Sequence, residues 1–358
     1  MSPAETDPTT EVRAEDGFDV AAVHGWLRTR VEGIEGAGPP EVRQFPRGAS
    51  NLTYLLRYPD RELILRRPPM GEKAASAHDM RREYRVQAGL RPVFPYVPEV
   101  LAFCDDPAVL GDDFYVMERL DGLILRGDLP AGMSLRPAAA RDLSIRLIDR
   151  LVELHQVDVT AAGLADLGKG AGYVRRQIEG WSARFERART ENVPAFGEVM
   201  RWLADNQPGE VSICLIHNDF RFDNVVLAGR EDLRITGILD WEMATLGDPL
   251  MELGSTLAYW VQADDEETFQ LSRRQPTHLP GMLTRAEVVD HYAERTGLAV
   301  PNWTFYEVYG LFRLAVVLQQ IYHRYHHGQT HNPAFKDFWM FVGYLESRCL
   351  RIIREDGA

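Results

Sequence analysis

Cysteine is scarce. Cys104, Cys214 and Cys349 are the three in 358 residues, far apart, odd in number and with no CxxC pair. That count argues against a disulfide scaffold or a structural cysteine–zinc site and reads as three inert thiols in a reducing cytoplasm. No apolar stretch approaches the roughly 18 residues a membrane span needs, so no transmembrane helix is expected. The opening residues, MSPAETDPTTEVRAEDG, carry neither a basic start nor an apolar core. No secretory leader is expected there, and residues 1–15 read as a disordered tail. Basic residues do not dominate: 40 Lys+Arg stand against 53 Asp+Glu, a formal net charge of −13. Broad binding to nucleic acid needs a basic face, so that class is set aside, although a local anion site is not. No repeat at a solenoid period is visible.

What is present is an ordinary globular composition, 45% hydrophobic and 26% charged. Its length suggests two lobes, since single cores rarely grow past about 250–300 residues. Residues 17–35 have helical spacing. From about 42 the period shortens to strand–turn–strand–turn–strand through VRQFPRGASNLTYLLRY and RELILRR, followed by a helix through HDMRREYRVQAGL and two strands in VPEVLAFC and DDFYVMERL. After Gly122 the pattern turns helical, with Leu143, Leu147, Leu151 and Leu154 on one face. Strand signals return briefly between 211 and 240. Residues 261–283 read as a polar, mobile loop, and T-R-A-E at 284–287 as a capping box for the next helix. Two more helices are expected over about 304–326 and 334–353. The fold class is α+β in two lobes: a small antiparallel β lobe at 16–120 and a larger, mainly helical lobe at 121–358.

The stretch carrying chemistry is LIHNDFRFDNVVL, followed by ITGILDWEMATLGDPLMEL. A turn near Gly229–Asp232 makes an antiparallel hairpin that returns Asp240 to the level of Asn224. Paired strands lie about 4.8 Å apart, so the Asn224 amide and the Asp240 carboxylate can share one Mg²⁺. That ion takes few protein oxygens and completes its shell with substrate phosphates. Asp219 stands nearby as the group that accepts a proton from an attacking hydroxyl. His217, Asp219 and Asn224 have the HxDxxxxN spacing of kinase-like catalytic loops, with a later Asp for metal.

With HND, Asn224, ILDWE and GDP at 247–249, the chain resembles the aminoglycoside phosphotransferase and choline kinase branch of the protein-kinase-like fold. The phrases FPRGASNLTYLL, LILRRPP, REYRV, FPYVPEVLAF, FYVMERLDG and LHQVD are similar to phosphotransferase domains fused to some acyl-CoA dehydrogenases. The resemblance implies a nucleotide-phosphate turn at Gly48, Ser50 and Asn51. It puts Arg66 where the branch usually has a Lys on the α/β-phosphates, with Glu83 as its acidic partner. Arg81 and Arg82 compete for that acid, and Arg67 is expected on the solvated strand face. The carbonyl of Glu118 and the N–H of Leu120 take the place of the adenine-binding hinge. His217 is expected to brace the catalytic loop and Asp248 to cap a helix. Glu242 stands equally as an acceptor or metal contact and as a helix end.

The implied activity is transfer of the γ-phosphoryl group of ATP or GTP, with Mg²⁺, to a hydroxyl of a small metabolite such as a hydroxyacyl compound. An aminoglycoside phosphotransferase is the alternative, with Asp264, Asp265, Glu266 and Glu267 as its acidic pocket or merely a solvated loop. A nucleotide-binding module without catalysis is another, supported by Arg66. Arg175, Arg176 and Arg324 are candidates for an anionic acceptor. In the cluster His323, His326, His327 and His331, the pair His323 and His327 at i,i+4 offers a zinc face as a rival chemistry, against a helix end suited to the macrodipole or, with Arg324, a lining of the acceptor pocket.

Overall fold

The computed structural model describes residues 8–46, 51–69 and 79–357. The chain begins with α1 (Val20–Leu27), β1 (Glu41–Gln44), β2 (Leu52–Arg57), β3 (Glu62–Arg67), α2 (Met80–Leu90), β4 (Val100–Cys104), α3 (Pro107–Leu110) and β5 (Phe114–Glu118). It continues through α4 (Pro137–His155), α5 (Tyr173–Ala188), α6 (Gly197–Asp205), β6 (Cys214–Ile216), β7 (Val225–Leu227), β8 (Ile235–Ile238) and β9 (Thr245–Gly247). It ends with α7 (Pro249–Leu257), α8 (Glu267–Gln270), α9 (Arg285–Thr296), α10 (Trp303–His326) and α11 (Phe338–Asp356). Packing divides the chain into two compact units. One holds Met1–Ile124, Asp158–Leu164 and Asn224–Ala244; the other holds Leu125–Val157, Ala165–Asp223 and Thr245–Ala358. The first stretch ends close to the sequence boundary at 120, but two later segments pack with it.

The first unit is built on an antiparallel sheet of order β1-β2-β3-β5-β4. Strand side chains alternate between faces, and that alternation sorts β3. Leu63 and Leu65 pack with Tyr54, Leu56, Phe114, Val116 and the α1 residues Val23 and Leu27. Ile64 turns the other way, with Leu55, Tyr115, Met117 and Met80 of α2. Arg66 therefore shares the α2 face, where Met80, Glu83, Val86, Gln87 and Leu90 form the buried stripe of the helix.

Arg67 belongs to the α1 face and is not solvated as expected; it is 2% exposed. Its Nη2 donates to the Asp16 carbonyl (2.7 Å) and its Nε to the Tyr54 hydroxyl (3.3 Å). The segment supplying that carbonyl lies beside the stretch read as a tail. There Thr10 pairs with Gln44, and the Gln44 amide accepts from Arg13 N (3.0 Å) and donates to Asp16 (2.8 Å). Polar composition suggests fraying, but these bonds use the polar groups to close the sheet edge.

The second unit is mainly helical. β6 and β9 form a two-stranded antiparallel ladder, Cys214 opposite Gly247 and Ile216 opposite Thr245. The short β9 has no counterpart in the sequence reading, because three residues are too few to show a period. The 261–283 segment also differs from expectation: it contains α8, and Phe269, Gln275 and Thr277 are buried. Its polar residues serve backbone groups. Gln275 accepts from Phe222 N (2.7 Å) and donates to the Tyr259 carbonyl (3.1 Å), and Thr277 donates to the Val261 carbonyl (2.8 Å). The capping box at Thr284 and Glu287 forms as expected.

α7 and α10 meet through two glycines. A Cβ on Gly254 would lie 2.2 Å from the Tyr306 carbonyl oxygen, and one on Gly310 2.1 Å from the Gly254 carbonyl oxygen. Backbone cannot yield as a side chain can, so Gly310→Ala must separate the helices. Overpacking of this kind costs about 1–3 kcal/mol. A lower midpoint in thermal or urea unfolding is expected; an unchanged midpoint would show that the crossing tolerates a methyl group.

Candidate active site

The first unit gathers charge around Arg66. Its Nη1 lies 2.8 Å from Glu83 Oε1, and its Nη2 lies 3.1 Å from Asp240 Oδ1 and 3.6 Å from Glu242 Oε2. Three carboxylates thus share one guanidinium. Burial pushes the Glu83 carboxyl up, and Arg66 pulls it back only in part. Burial alone would lower the Arg66 value, but Glu83, Tyr115, Asp240 and Glu242 more than offset it and hold the cation well above its usual range. Arg81 and Arg82 do not take its place: Arg81 donates to Asp105 (2.6 Å), and Arg82 donates to the carbonyls of Glu242 (3.1 Å) and Ala244. Glu242 accepts from Asn51 Nδ2 (2.9 Å), so the residue left open between a ligand contact and a helix end joins the Arg66 cluster. Gly48 and Ser50 lie outside the described residues.

The hairpin places the two expected metal-binding residues together. Val225 is opposite Ile238, and Leu239 N donates to the Asn224 carbonyl (2.8 Å), so Asp240 follows directly on Asn224's partner. The turn returns through Gly229 N donating to the Asp232 carbonyl (3.0 Å). Asp240 has φ 68°, ψ 62°, the left-handed region that a non-glycine residue enters at a cost. That twist aims the carboxylate at Arg66 while Trp241, fully buried, anchors the next turn through its Nε1 on the Ile238 carbonyl (2.8 Å). At the end of β5, Glu118 N donates to the Glu99 carbonyl (2.9 Å) and its carboxylate accepts from Glu99 N (2.8 Å). Leu120 packs so tightly on the hairpin that a Cβ on Gly237 would be 2.1 Å from its Cδ1.

The second unit holds the loop from His217 to Asp223. Asp219 Oδ2 accepts from Arg221 Nη2 (3.0 Å), and its backbone N donates to His217 Nδ1 (3.2 Å). His217 is buried and braces the loop, in line with its expected role. Arg221 also reaches Asp223 (3.3 Å) and lies over the Tyr259 ring at 4.4 Å. Burial pushes the Asp223 carboxyl up, and Arg221 pulls it partly back. Asp248 caps α7, accepting from Leu250 N (2.9 Å) and Met251 N (3.1 Å), and also holds Val211 N (3.0 Å) ahead of β6.

Five residues act at or behind this loop without a role in the sequence reading. Glu252 of α7 accepts from His217 N (3.1 Å) and from Asn218 N, while His155 of α4 donates to it from Nε2 (2.8 Å). Behind that pair, Tyr292 bonds His155 Nδ1 (2.7 Å); burial keeps its phenol above the usual range, so it is the donor. Arg313 Nη2 donates to the Asn218 carbonyl (2.8 Å), and Asn218 has φ 67°. Arg221 completes the set. The one visible signal was spacing: Glu252 is four residues past Asp248, on the same face of one helix.

Two other readings change. In the acidic run Asp264, Glu266 and Glu267 are exposed, as a solvated loop would be, and Asp265 is the exception. Asp265 is buried and paired with Arg285 (2.6 Å) and Arg348 (3.0 Å), and Glu266 bonds Tyr344 (2.6 Å) and Arg351 (2.5 Å). His323 and His327 do meet, at 4.3 Å between centroids with the rings tilted by 55°, but among the described residues no three His, Cys, Asp or Glu are grouped to hold a metal ion. Arg176 is committed to the Ala171 and Gly170 carbonyls. The three cysteines are free and buried, and no described helix is long and apolar enough to cross a membrane.

A family model described as the phosphotransferase enzyme family matches residues 41–296. Acyl-CoA dehydrogenase family member 10 of Mus musculus is 34% identical over 300 residues, covering 83% of this chain and 28% of that protein. The chain thus spans less than a third of the length of this relative. A crystal structure from Ralstonia eutropha JMP134, of a protein assigned as an aminoglycoside phosphotransferase, aligns with a TM-score of 0.79 at 30% identity, covering 95% of this chain and 99% of the other. Choline kinase of Cryptosporidium parvum Iowa II, 13% identical, shares the fold with a TM-score of 0.62 over 94% of this chain and 96% of its own.

Proposed function

Because the chain belongs to the phosphotransferase enzyme family, with its kinase-like α+β fold and transfer to alcohol groups, we propose that it is a magnesium-dependent kinase of a small hydroxylated metabolite. ATP or GTP is the donor, and a hydroxyacyl compound is the favoured acceptor class. Three buried thiols with no disulfide suit a reducing compartment such as the cytoplasm.

The observation that carries the reading is the hairpin register. It sets Asn224 beside the residue preceding Asp240, and Asp240 against Arg66, itself paired with Glu83. The donors suit magnesium: the Asn224 amide and Asp240 carboxylate are hard oxygens, and the carboxylates around Arg66 exceed its single charge. Asn224 and Asp240 would hold the ion, which when bound neutralises phosphate oxygens. Arg66, fixed by Glu83, grips the α/β-phosphates with a fork whose geometry differs from that of lysine. Gly48, Ser50 and Asn51 cover the phosphates, and the backbone of Glu118 and Leu120 receives the base. Asp219 orients the acceptor hydroxyl and takes its proton. Positioning and charge stabilisation supply most of the rate in such reactions. The intact Asp219, Asn224 and Asp240 favour catalysis over a module that only binds nucleotide. Asp265 and Glu266, already paired with Arg285, Arg348 and Arg351, give no support to an antibiotic carrying several positive charges.

The test is phosphotransfer from Mg-ATP and Mg-GTP to a panel of hydroxyacyl-CoAs, hydroxy acids and aminoglycosides. Turnover of none, with nucleotide bound, would overturn the assignment. Asp240→Ala should weaken nucleotide binding in magnesium by more than roughly tenfold, or 1.4 kcal/mol, and leave metal-free binding nearly unchanged. An unaltered magnesium titration would remove Asp240 from its role.

A further inference from the structure

The phosphotransfer reading leaves the acceptor's chemistry open, and the second unit carries an unused positive charge beside the proposed base. Arg313 of α10 is only 6% exposed. It donates one hydrogen bond to the Asn218 carbonyl (2.8 Å), lies over the Trp181 ring, 5.1 Å from guanidinium carbon to ring centroid, and is near the phenols of Tyr173, Tyr259 and Tyr309. No carboxylate among the described residues pairs with it, although a guanidinium offers five N–H donors. A buried charge without a counter-ion is unfavourable unless something else completes it.

A second cation shares the same indole. Arg184 of α5 lies over the Trp181 ring at 4.5 Å, and it too has no acidic partner among the described residues. Burial chiefly lowers the Arg184 value, with Tyr309 opposing it and Arg187 and Arg313 adding smaller contributions in the same direction as burial. α5 itself carries Arg175, Arg176, Arg184 and Arg187 against Glu179 and Glu186. In a chain of net charge −13 this local excess is the opposite of the background.

The loop fixes where this charge acts. The carbonyl held by Arg313 belongs to Asn218, whose neighbour is Asp219, and successive Cα atoms are about 3.8 Å apart. We propose that the acceptor is an oxyanion as well as an alcohol, its anionic oxygens docking on Arg313 and Arg184 while its hydroxyl meets Asp219. A carboxylate of a hydroxy acid and a phosphate on the carrier of a hydroxyacyl thioester present the same chemistry to a guanidinium fork. In the reaction the acceptor oxygen forms a bond to the γ-phosphorus and the bond from that phosphorus to the β–γ bridging oxygen breaks. The nucleoside diphosphate leaves with the bridging oxygen, and the hydroxyl proton passes to Asp219. The inference rests on the phosphotransfer reading and narrows it.

The experiment compares matched acceptors with Mg-ATP: 3-hydroxybutyrate, its uncharged methyl ester, 3-hydroxybutyryl-CoA and the aminoglycoside kanamycin. At least one anionic member should have the highest kcat/KM, and whether it is the free acid or the thioester separates carboxylate from phosphate docking. Arg184→Gln, an exposed change that the fold should accept, and Arg313→Lys, which keeps the charge but not the fork, should each raise KM for that anion roughly tenfold to a hundredfold. In Arg184→Gln, KM for the methyl ester and the affinity for Mg-ATP should stay within about twofold, an effect under 0.5 kcal/mol on the usual scale. Preference for the ester or for kanamycin, or unchanged KM in both variants, would overturn the anion proposal while leaving phosphotransfer intact. Turnover of no acceptor by a protein that still binds Mg-ATP would sink both.

Discussion

Asp219→Asn is expected to abolish phosphotransfer while Mg-nucleotide still binds. Loss of a general base costs about 10²–10⁴-fold in rate. The substitution is nearly isosteric, and the carboxamide oxygen can still accept from Arg221 Nη2, now 3.0 Å from Asp219. The backbone anchor of the loop, Asp219 N on His217 Nδ1, is untouched by a side-chain change. The defect should therefore appear in kcat, with nucleotide affinity and the unfolding midpoint near wild type. Calorimetric binding of Mg-ATP beside a coupled assay of nucleoside diphosphate release would measure both. Turnover at the wild-type rate would take the base role from Asp219. Equal loss of binding and turnover would instead make it part of the nucleotide site. Because Arg221 bridges Asp219 and Asp223, Arg221→Ala should leave a misplaced carboxylate rather than none, and a smaller fall in kcat is expected.

The β-rich unit is legible because its strands obey a two-residue period and its turns carry Gly, Pro and Asp, so the sheet and α2 fall where the pattern puts them. The same alternation correctly separates Arg66 from Arg67. It fails on the fate of Arg67, whose partners are a carbonyl 51 residues away and a tyrosine hydroxyl on the next strand. Backbone acceptors have no residue identity, so no motif advertises them. The 261–283 segment misleads for a related reason: Gln275 and Thr277 look solvated, yet each satisfies buried main-chain groups. At the site, the hairpin argument needs only a turn and a register, and both are local, so the juxtaposition of Asn224 and Asp240 is readable. The Glu252 and His155 support joins α7 to α4 across 97 residues and depends on tertiary packing. Single-residue identity cannot distinguish it from a solvated helix acid and a helix-end histidine.

That support carries the second large effect. Glu252→Ala should destabilise the protein by about 3–5 kcal/mol, the range for breaking a buried ionic or hydrogen-bonded cluster by removing one partner. The carboxylate receives three donors at once, His217 N, Asn218 N and His155 Nε2, and truncation strands all three, with His217 and His155 buried and Asn218 half-buried. Because the alanine variant risks not folding, Glu252→Gln is the informative companion. It keeps the volume and one acceptor oxygen, but its NH₂ must face donors, so one side of the cluster is lost. The loop then loses the hold that keeps Asn218 at φ 67°, a conformation that surroundings must impose. Since Asn218 sets the direction in which Asp219 leaves the loop, kcat should fall in Glu252→Gln while the affinity for Mg-nucleotide, whose proposed contacts are Arg66, Asn224 and Asp240, holds. A merely structural role would lower the melting temperature and leave kcat of the folded fraction intact, and that result would separate loop stability from catalysis. An unchanged melting temperature in Glu252→Gln would show that one acceptor satisfies the cluster.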